Sequence, residues 1–159
     1  MAHRIITTED ARGLSSVLSR EELVADTSIA TSGVLNLWEF LPGSRIPGSA
    51  TPPPLLPNMN SIVPGEVQVF KWTVRAHVDA TEGGEVLEFS DSDRPGFHST
   101  PTLDVHTILS GTVVFRLDEE DVPMSAGDTV IIRGQSHAWA NPSDEDAVIL
   151  VTVIGAARQ

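Results

Sequence analysis

Apolar residues in this chain alternate with polar ones or form short β-branched runs, and Gly, Pro, Asp and Ser bound the runs. Alternation with a period of two is typical of strands, because successive side chains of a strand point to opposite faces. A helical period is nearly absent, so the pattern predicts an all-β fold. The predicted strands are residues 34–40, 67–78, 85–89, 102–110, 112–117, 128–133, 137–141 and 147–154.

Two segments of the N-terminal half interrupt the strand pattern. Ser19 and Glu22 have the spacing of a capping box, which predicts a short helix at residues 20–25. Residues 42–64 hold seven of the eleven prolines, and proline removes a donor from a strand ladder. This segment is therefore a long irregular connection, which either crosses a barrel mouth or a neighbouring subunit or is a mobile surface loop.

Two acidic segments lie in the C-terminal half. Residues 79–96 carry six carboxylates and three glycines, which favours a solvated hairpin, with a lid over a site as the alternative. Residues 118–121 are four consecutive carboxylates between two strand patterns. They indicate a hairpin turn, because they lack the spaced ligands of a calcium loop.

The length of 159 residues suits one domain with one core. Residues 1–65 are predicted to be N-terminal strands and a Pro-rich extension packed on a barrel of residues 66–157. No apolar run approaches the roughly 20 residues that cross a bilayer, and the N-terminus lacks the apolar stretch of a secretory signal. A cytoplasmic location is therefore expected.

Charge and cysteine content limit the possible partners and ligands. The net charge of −12 would repel a phosphate backbone or an anionic membrane surface, so neither nucleic acid nor a membrane is an expected partner. The chain has no cysteine, which excludes thiolate ligands, disulfides and cysteine nucleophiles. A metal site would have to use histidines and carboxylates.

Three of the five histidines, His98, His106 and His137, lie in the strand-rich C-terminal half together with Asp104. The period of two puts Asp104 and His106 on one strand face, with Cα atoms about 6.6 Å apart. Their side chains can therefore converge on one ion or ligand. His137 and Trp139 share a face by the same rule.

The first cluster of these residues resembles a motif of the cupin superfamily. In that family the motif runs Gly, five residues, His-x-His, three or four residues, Glu, six residues, Gly. Here His98 takes the first histidine position, Thr100 the second, Asp104 the glutamate position and Gly111 the closing glycine. One metal ligand of the family's set is therefore missing, at Thr100.

The second cluster resembles the other cupin motif, which runs Gly, five residues, Pro-x-Gly, two residues, His, three residues, Asn. Gly127, Gly134, His137 and Asn141 match it. The spacing departs by one residue fewer between the two glycines, and Arg133 stands near the expected proline.

The resemblance is strong over about residues 95–155, and it implies a double-stranded β-helix, or jelly-roll, barrel. It also implies a homodimer paired through N-terminal strands, and one divalent ion on His98, Asp104 and His137. Two imidazoles and a carboxylate with open positions suit Fe(II) and also Mn, Ni or Zn. Asp104 could instead cap the strand entry or pair with Arg133.

Other residues have more than one interpretation. His106 is a fourth ligand, a base lining the site or a core histidine. Trp72 and Trp139 are candidates to line the site, although aromatic side chains are more often core. His3 and His77 are expected to be ordinary satisfied polar residues.

The strand at residues 67–78 has two possible orientations. In one, its apolar residues form the inner face; in the other, two cations enter the barrel and favour an anionic substrate. The first orientation turns inward Phe70, Trp72 and Val74, and the second turns inward Lys71, Thr73 and Arg75.

The function that these features favour is a metal-dependent enzyme on a small oxygen-bearing molecule, with the ion as Lewis acid on a carbonyl, enol or carboxylate. If it is not a ligand, His106 would be the general base. The reaction is that of a lyase, isomerase, cyclase or decarboxylase, or of an Fe(II) dioxygenase. The alternative is a non-catalytic cupin that binds a small molecule and in which Thr100 marks the loss of the metal.

Overall fold

The computed structural model of the protein describes residues 2–23, 34–44, 62–79 and 93–157. In these residues the chain forms ten strands and no helix, and hence no helix that could cross a membrane. The predicted all-β class is therefore confirmed. The strands are β1 (Ala2–Glu9), β2 (Ser15–Leu23), β3 (Val34–Phe40), β4 (Val67–Val74), β5 (Thr102–Ser110), β6 (Thr112–Arg116), β7 (Asp121–Ser125), β8 (Thr129–Ile132), β9 (Ala138–Ala140) and β10 (Ala147–Gly155).

Two sheets form the jelly roll, and a third, two-stranded sheet consists of β1 and β2. The larger sheet has the order β3-β4-β10-β5-β8 and the smaller one the order β7-β6-β9, with every pair antiparallel. Residues from both sheets form one core, as two facing apolar layers require. The buried core includes Phe70, Ile108, Ile149 and Val151 from the larger sheet and Val113, Phe115, Met124 and Trp139 from the smaller one.

The central strand β10 organises the larger sheet. Its residues alternate between buried and half-buried positions, and its β-branched side chains suit a paired, covered strand. Val151 lies opposite Phe70 on β4 and His106 on β5. Val153 lies opposite Asp104 in the same way. The apolar face of β10 therefore determines which residues of β5 point into the core.

The predicted helix at residues 20–25 is wrong for the residues that the structure describes. Residues 20–23 belong to β2, where Arg20 pairs with Ile5. A capping-box spacing is only a local preference, and pairing with β1 overrides it. Arg4 of β1 also forms an ion pair with Glu21 at 2.6 Å, which fixes the hairpin.

Three strands, β1, β2 and β7, are not among the segments that the sequence pattern placed as strands, although N-terminal strands were predicted within residues 1–65. β7 contains Pro123 and begins at Asp121, the last residue of the acidic run, so its strand pattern is weak. It lies at an edge of the smaller sheet, where a proline removes no needed donor. The turn predicted at 118–121 is confirmed, because the Leu117 N–H donates to the Glu120 carbonyl at 2.9 Å between β6 and β7.

Several predicted features lie outside the described residues. These are the strand at 85–89 and most of the segments 42–64 and 79–96. The strands predicted at 34–40 and 102–110 agree with β3 and β5. β3 pairs with β4 in the larger sheet. The sheet therefore includes residues that precede residue 66, where the sequence analysis placed the start of the barrel.

The N-terminal hairpin attaches to the larger sheet through Arg4. This side chain is buried, and its guanidinium donates to the Asn36 carbonyl at 3.4 Å on β3. The same group binds Glu21 of β2. One arginine therefore joins three strands.

Gly111 makes the turn between β5 and β6 and so connects the two sheets. Its φ is +76°, and an added Cβ would lie 2.8 Å from the Ala147 Cα. Gly127 has a φ of +99° but nothing within 4 Å of such a Cβ. A side chain at Gly111 would therefore cause both backbone strain and steric overlap, whereas one at Gly127 would cause backbone strain alone.

We expect Gly111→Ala to lower the free energy of unfolding by about 3 kcal/mol and Gly127→Ala by about 1 kcal/mol. Both variants strain a left-handed backbone, but only the first also forces a methyl group into Ala147. Urea unfolding followed by circular dichroism measures the difference. Equal losses would contradict the close approach at Gly111.

Candidate functional site

His98 and His137 lie side by side at the centre of the candidate site. They form an isolated antiparallel bridge, in which each backbone N–H donates to the other's carbonyl at 3.0 Å. Their ring centroids are 4.4 Å apart. The backbone itself thus holds together two of the predicted ligands, which are far apart in the sequence.

Backbone carbonyls select the tautomer of both rings. The His98 Nδ1 lies 3.2 Å from the Gly96 carbonyl oxygen, and the His137 Nδ1 lies 2.9 Å from that of Gln135. A carbonyl only accepts, so each Nδ1 carries the proton and donates it. Each Nε2 keeps its lone pair, which is the arrangement that metal-binding histidines use.

Asp104 and His106 lie on the inner face of β5, as the period of two predicts. They are 5% and 6% exposed, whereas Val105 between them is half-buried. Among the described residues, neither the Asp104 Oδ1 nor the His106 Nδ1 has a hydrogen-bond partner. Leaving a buried polar atom unpaired costs about 1–3 kcal/mol. Binding of an ion or a ligand to these two atoms would remove that cost.

Burial and mutual repulsion keep the imidazoles neutral. Desolvation, together with the nearby His137 and His98, lowers the pKa of His106 to about 3. Desolvation and His98 lower the pKa of His137 to about 4. Burial also lowers the pKa of His98 below its ordinary value. At neutral pH all three rings are therefore uncharged, which is the state that binds a metal.

Burial raises the pKa of Asp104, whereas it lowers the pKa values of the three histidines. Desolvation raises its pKa to about 6, and a hydrogen bond with Thr102 offsets part of that shift. The carboxyl group is therefore mostly ionised at neutral pH but poorly solvated. A nearby cation would stabilise the ionised form.

Aromatic rings form one wall beside these residues. His106 stacks on Trp139 with ring centroids 5.2 Å apart and an interplanar angle of 13°. Trp72 meets Trp139 edge-on at 6.1 Å, and Phe115 lies 5.5 Å from His137. Trp72 and Trp139 therefore both contribute to the interior beside the histidines.

The orientation of β4 is the one that places its apolar side chains inward. Phe70 and Val74 are buried, and Trp72 is half-buried against Trp139. Arg75 is exposed and forms an ion pair with Asp146 at 2.8 Å. The alternative orientation, with cations inside the barrel, is therefore wrong.

Thr100 takes no part in the histidine bridge. Its Oγ1 lies 2.6 Å from the Oγ1 of Thr102. The pairing of Asp104 with Arg133 considered from the sequence is absent among the described ion pairs; Arg133 is exposed, whereas Asp104 is buried. A cavity of about 350 Å³ near Thr100 is lined by Thr100, Pro101, Thr102, Arg133, Gly134, Ala156 and Ala157.

The structure brings together some of the predicted ligands but not a complete set. Across residues 2–23, 34–44, 62–79 and 93–157, no three His, Asp or Glu side chains lie close enough to hold a metal ion. His98 and His137 adjoin each other, and Asp104 enters from the larger sheet. His3 and His77 are exposed and lie apart from the site, with His77 3.4 Å from Asp144.

Sequence reasoning missed two kinds of residue. The carbonyls of Gly96 and Gln135 orient the histidines, but a backbone group leaves no mark in the sequence. Glu66 and Gln68 are buried, and the Gln68 Nε2 donates to the Glu66 Oε1 at 2.7 Å. The period of two could have found Gln68, because it shares a strand face with Phe70.

The buried imidazole of His106 makes stability depend on pH. Its native pKa is about 3, whereas an unfolded histidine titrates near about 6.5. Below about pH 6 the unfolded chain binds a proton that the native chain excludes, so stability falls as the pH falls. His106→Phe removes this linkage and keeps an aromatic ring against Trp139.

In metal-stripped protein, we expect the stability of the wild type to fall relative to His106→Phe by up to about 1.4 kcal/mol per pH unit between about pH 6 and about pH 4. Urea unfolding at several pH values measures both curves. Parallel curves would mean that His106 titrates normally in the native protein and is not buried.

Comparison with known proteins finds similarity to cupin domains. A family model for the cupin domain, Cupin_2, matches residues 85–153, while no curated protein matches the chain.

A Cupin 2 conserved barrel domain protein from Salinispora arenicola is 17% identical, covering 85% of this chain and 82% of that one with a TM-score of 0.47. A predicted oxalate decarboxylase from Thermotoga maritima is 21% identical over 57% of this chain and 81% of its own, with a TM-score of 0.41. A sugar phosphate isomerase of the cupin superfamily from Silicibacter pomeroyi is 16% identical over 55% and 50%, with a TM-score of 0.42. Residues 85–153 are therefore a cupin domain.

Proposed function

We propose that the protein is a metal-dependent enzyme in which His98, His137 and Asp104 hold one divalent ion. The observation that carries this proposal is the bridged pair of histidines. Both Nδ1 atoms are bonded to carbonyls, so both Nε2 atoms are available as ligands. Two neutral, oriented imidazoles at a ring separation of 4.4 Å are half of a typical metal site.

Asp104 is the third ligand in this proposal. Its Oδ1 is buried without a hydrogen-bond partner among the described residues, and burial raises its pKa to about 6. Both features favour a cation as its missing partner. Because no three ligands converge in the described structure, the Asp104 side chain must turn toward the histidines when the ion binds.

A mixed set of imidazoles and a carboxylate suits Fe(II), Mn, Ni or Zn. When bound, such an ion supplies Lewis-acid stabilisation of negative charge on a substrate carbonyl, enol or carboxylate oxygen. Asp104, His106 and His137 are buried, and the low dielectric of a buried site strengthens that stabilisation. The reaction is then that of a lyase, isomerase, cyclase or decarboxylase, or an oxidation at Fe(II).

His106 is better suited to be a ligand or a hydrogen-bonding partner than a general base. A base works best with a pKa near the working pH, but burial lowers the pKa of His106 to about 3. Its ring is held by stacking on Trp139, and its Nδ1 has no described partner. We therefore assign it the role of a fourth contact to the ion or substrate.

The second candidate function is a non-catalytic cupin that binds a small molecule. Thr100 stands where the family places a histidine, and its hydroxyl pairs with Thr102. The described residues also lack a converged set of three ligands. In this reading the buried polar atoms of the site contact the bound molecule directly.

We expect His137→Ala to weaken divalent-metal binding more than about tenfold while leaving the fold intact, because losing a ligand costs more than losing a residue that only orients one. His77→Ala is the matched control, since His77 is exposed. Elemental analysis and competition with a chelator measure the bound metal, and circular dichroism checks the fold.

A full metal complement in His137→Ala would contradict the assignment of the ligands. If the wild type itself binds no divalent ion, the non-catalytic candidate is favoured instead. Both results are read from the same titration.

A further inference from the structure

Trp139 carries a buried hydrogen-bond donor for which the described residues provide no acceptor. The residue is 6% exposed, and its Nε1 has no hydrogen-bond partner among the described residues. An indole N–H can only donate, and buried tryptophans usually find an acceptor. The missing partner of this atom must therefore be a hydrogen-bond acceptor.

The ring of Trp139 is fixed, so it cannot turn to find an acceptor elsewhere. Phe115 lies 4.8 Å away on the paired strand β6, Trp72 packs edge-on at 6.1 Å, and His106 stacks at 5.2 Å. Close packing on several sides leaves few alternative rotamers. The direction of the N–H is thus set by the core.

The donor lies at the candidate site. Trp139 follows His137 by two residues and stacks on His106, whose Nδ1 also lacks a described partner. Two stacked rings beside the histidine bridge therefore each present a buried nitrogen that has no partner in the part of the chain that the structure describes. A single bound molecule could satisfy both.

We propose that the Trp139 Nε1 donates a hydrogen bond to an oxygen of the substrate, and that the substrate is a small molecule with a carbonyl or carboxylate group. This inference rests on the proposed function only in placing the ligand beside His98 and His137. The indole is then a substrate-binding residue. It holds the oxygen on which negative charge develops, as donors in an oxyanion site do.

Tryptophan-specific NMR tests this donor directly. With ¹⁵N-labelled tryptophan, the three tryptophans of the chain give three indole N–H resonances, and Trp139→Phe assigns one of them. Pyruvate and benzoate are the probes, added to metal-stripped and metal-loaded protein. We expect the Trp139 resonance to move downfield with at least one probe.

Binding of the same probe to variants provides the second measurement. Trp139→Phe keeps the aromatic packing and removes the donor, so we expect about tenfold weaker binding, as for a hydrogen bond to a charged acceptor. Trp38→Phe is the matched control, because Trp38 lies on β3 beside Phe40; we expect a change below about twofold. Calorimetry measures both.

The outcomes separate this inference from the metal proposal. A Trp139 resonance that neither probe moves, or equal affinity in wild type and Trp139→Phe, overturns the inference even if metal binds. A response of Trp139 in a protein that binds no metal supports the inference while the metal proposal fails.

Discussion

The register between β5 and β10 is the constraint on which the site depends. His106 lies opposite Val151, and Asp104 lies opposite Val153. Because side chains alternate along a strand, a slip of one residue would turn both polar groups to the outer face. Burying each valine of β10 contributes roughly 1.5–3 kcal/mol, which is comparable with the cost of an unpaired polar atom. The free energy gained by burying the apolar face of β10 thus offsets the cost of burying Asp104 and His106.

The histidine bridge adds the second half of the site from the other sheet. His137 lies directly before β9, so the bridge brings His98 to the smaller sheet, facing β5. The resulting group of imidazoles resists protonation, since each charge would be desolvated and would repel its neighbours. The neutral rings can bind a divalent ion instead of protons, because the carboxylate of Asp104 supplies a compensating negative charge. The same physical arrangement that depresses the histidine pKa values therefore favours a metal or a polar ligand.

Sequence reasoning was most successful where one face of a strand is buried. The alternation in residues 102–110 predicted both the bounds of β5 and the inward direction of Asp104 and His106. It failed at β2, where a capping-box spacing concealed a strand that pairs with β1. It also failed at β7, whose Pro123 and acidic neighbours weaken the pattern.

The periodic pattern of the sequence could not predict how the ligands are arranged. The bridge between His98 and His137 is a single pairing outside any strand, and only the resemblance to a cupin motif connected the two residues. The carbonyls that orient their rings belong to the backbone. The Trp139 Nε1 has no hydrogen-bond partner among the described residues, and this is a feature of tertiary packing that residue spacing does not predict.

Anomalous diffraction from crystals of the metal-loaded protein would show directly whether the two bridged histidines and Asp104 hold the ion. We expect one anomalous peak per chain between the two bridged rings, about 2.0–2.3 Å from the Nε2 atoms of His98 and His137 and from an Asp104 oxygen. A peak elsewhere in the molecule, with both Nε2 atoms free, would contradict this expectation.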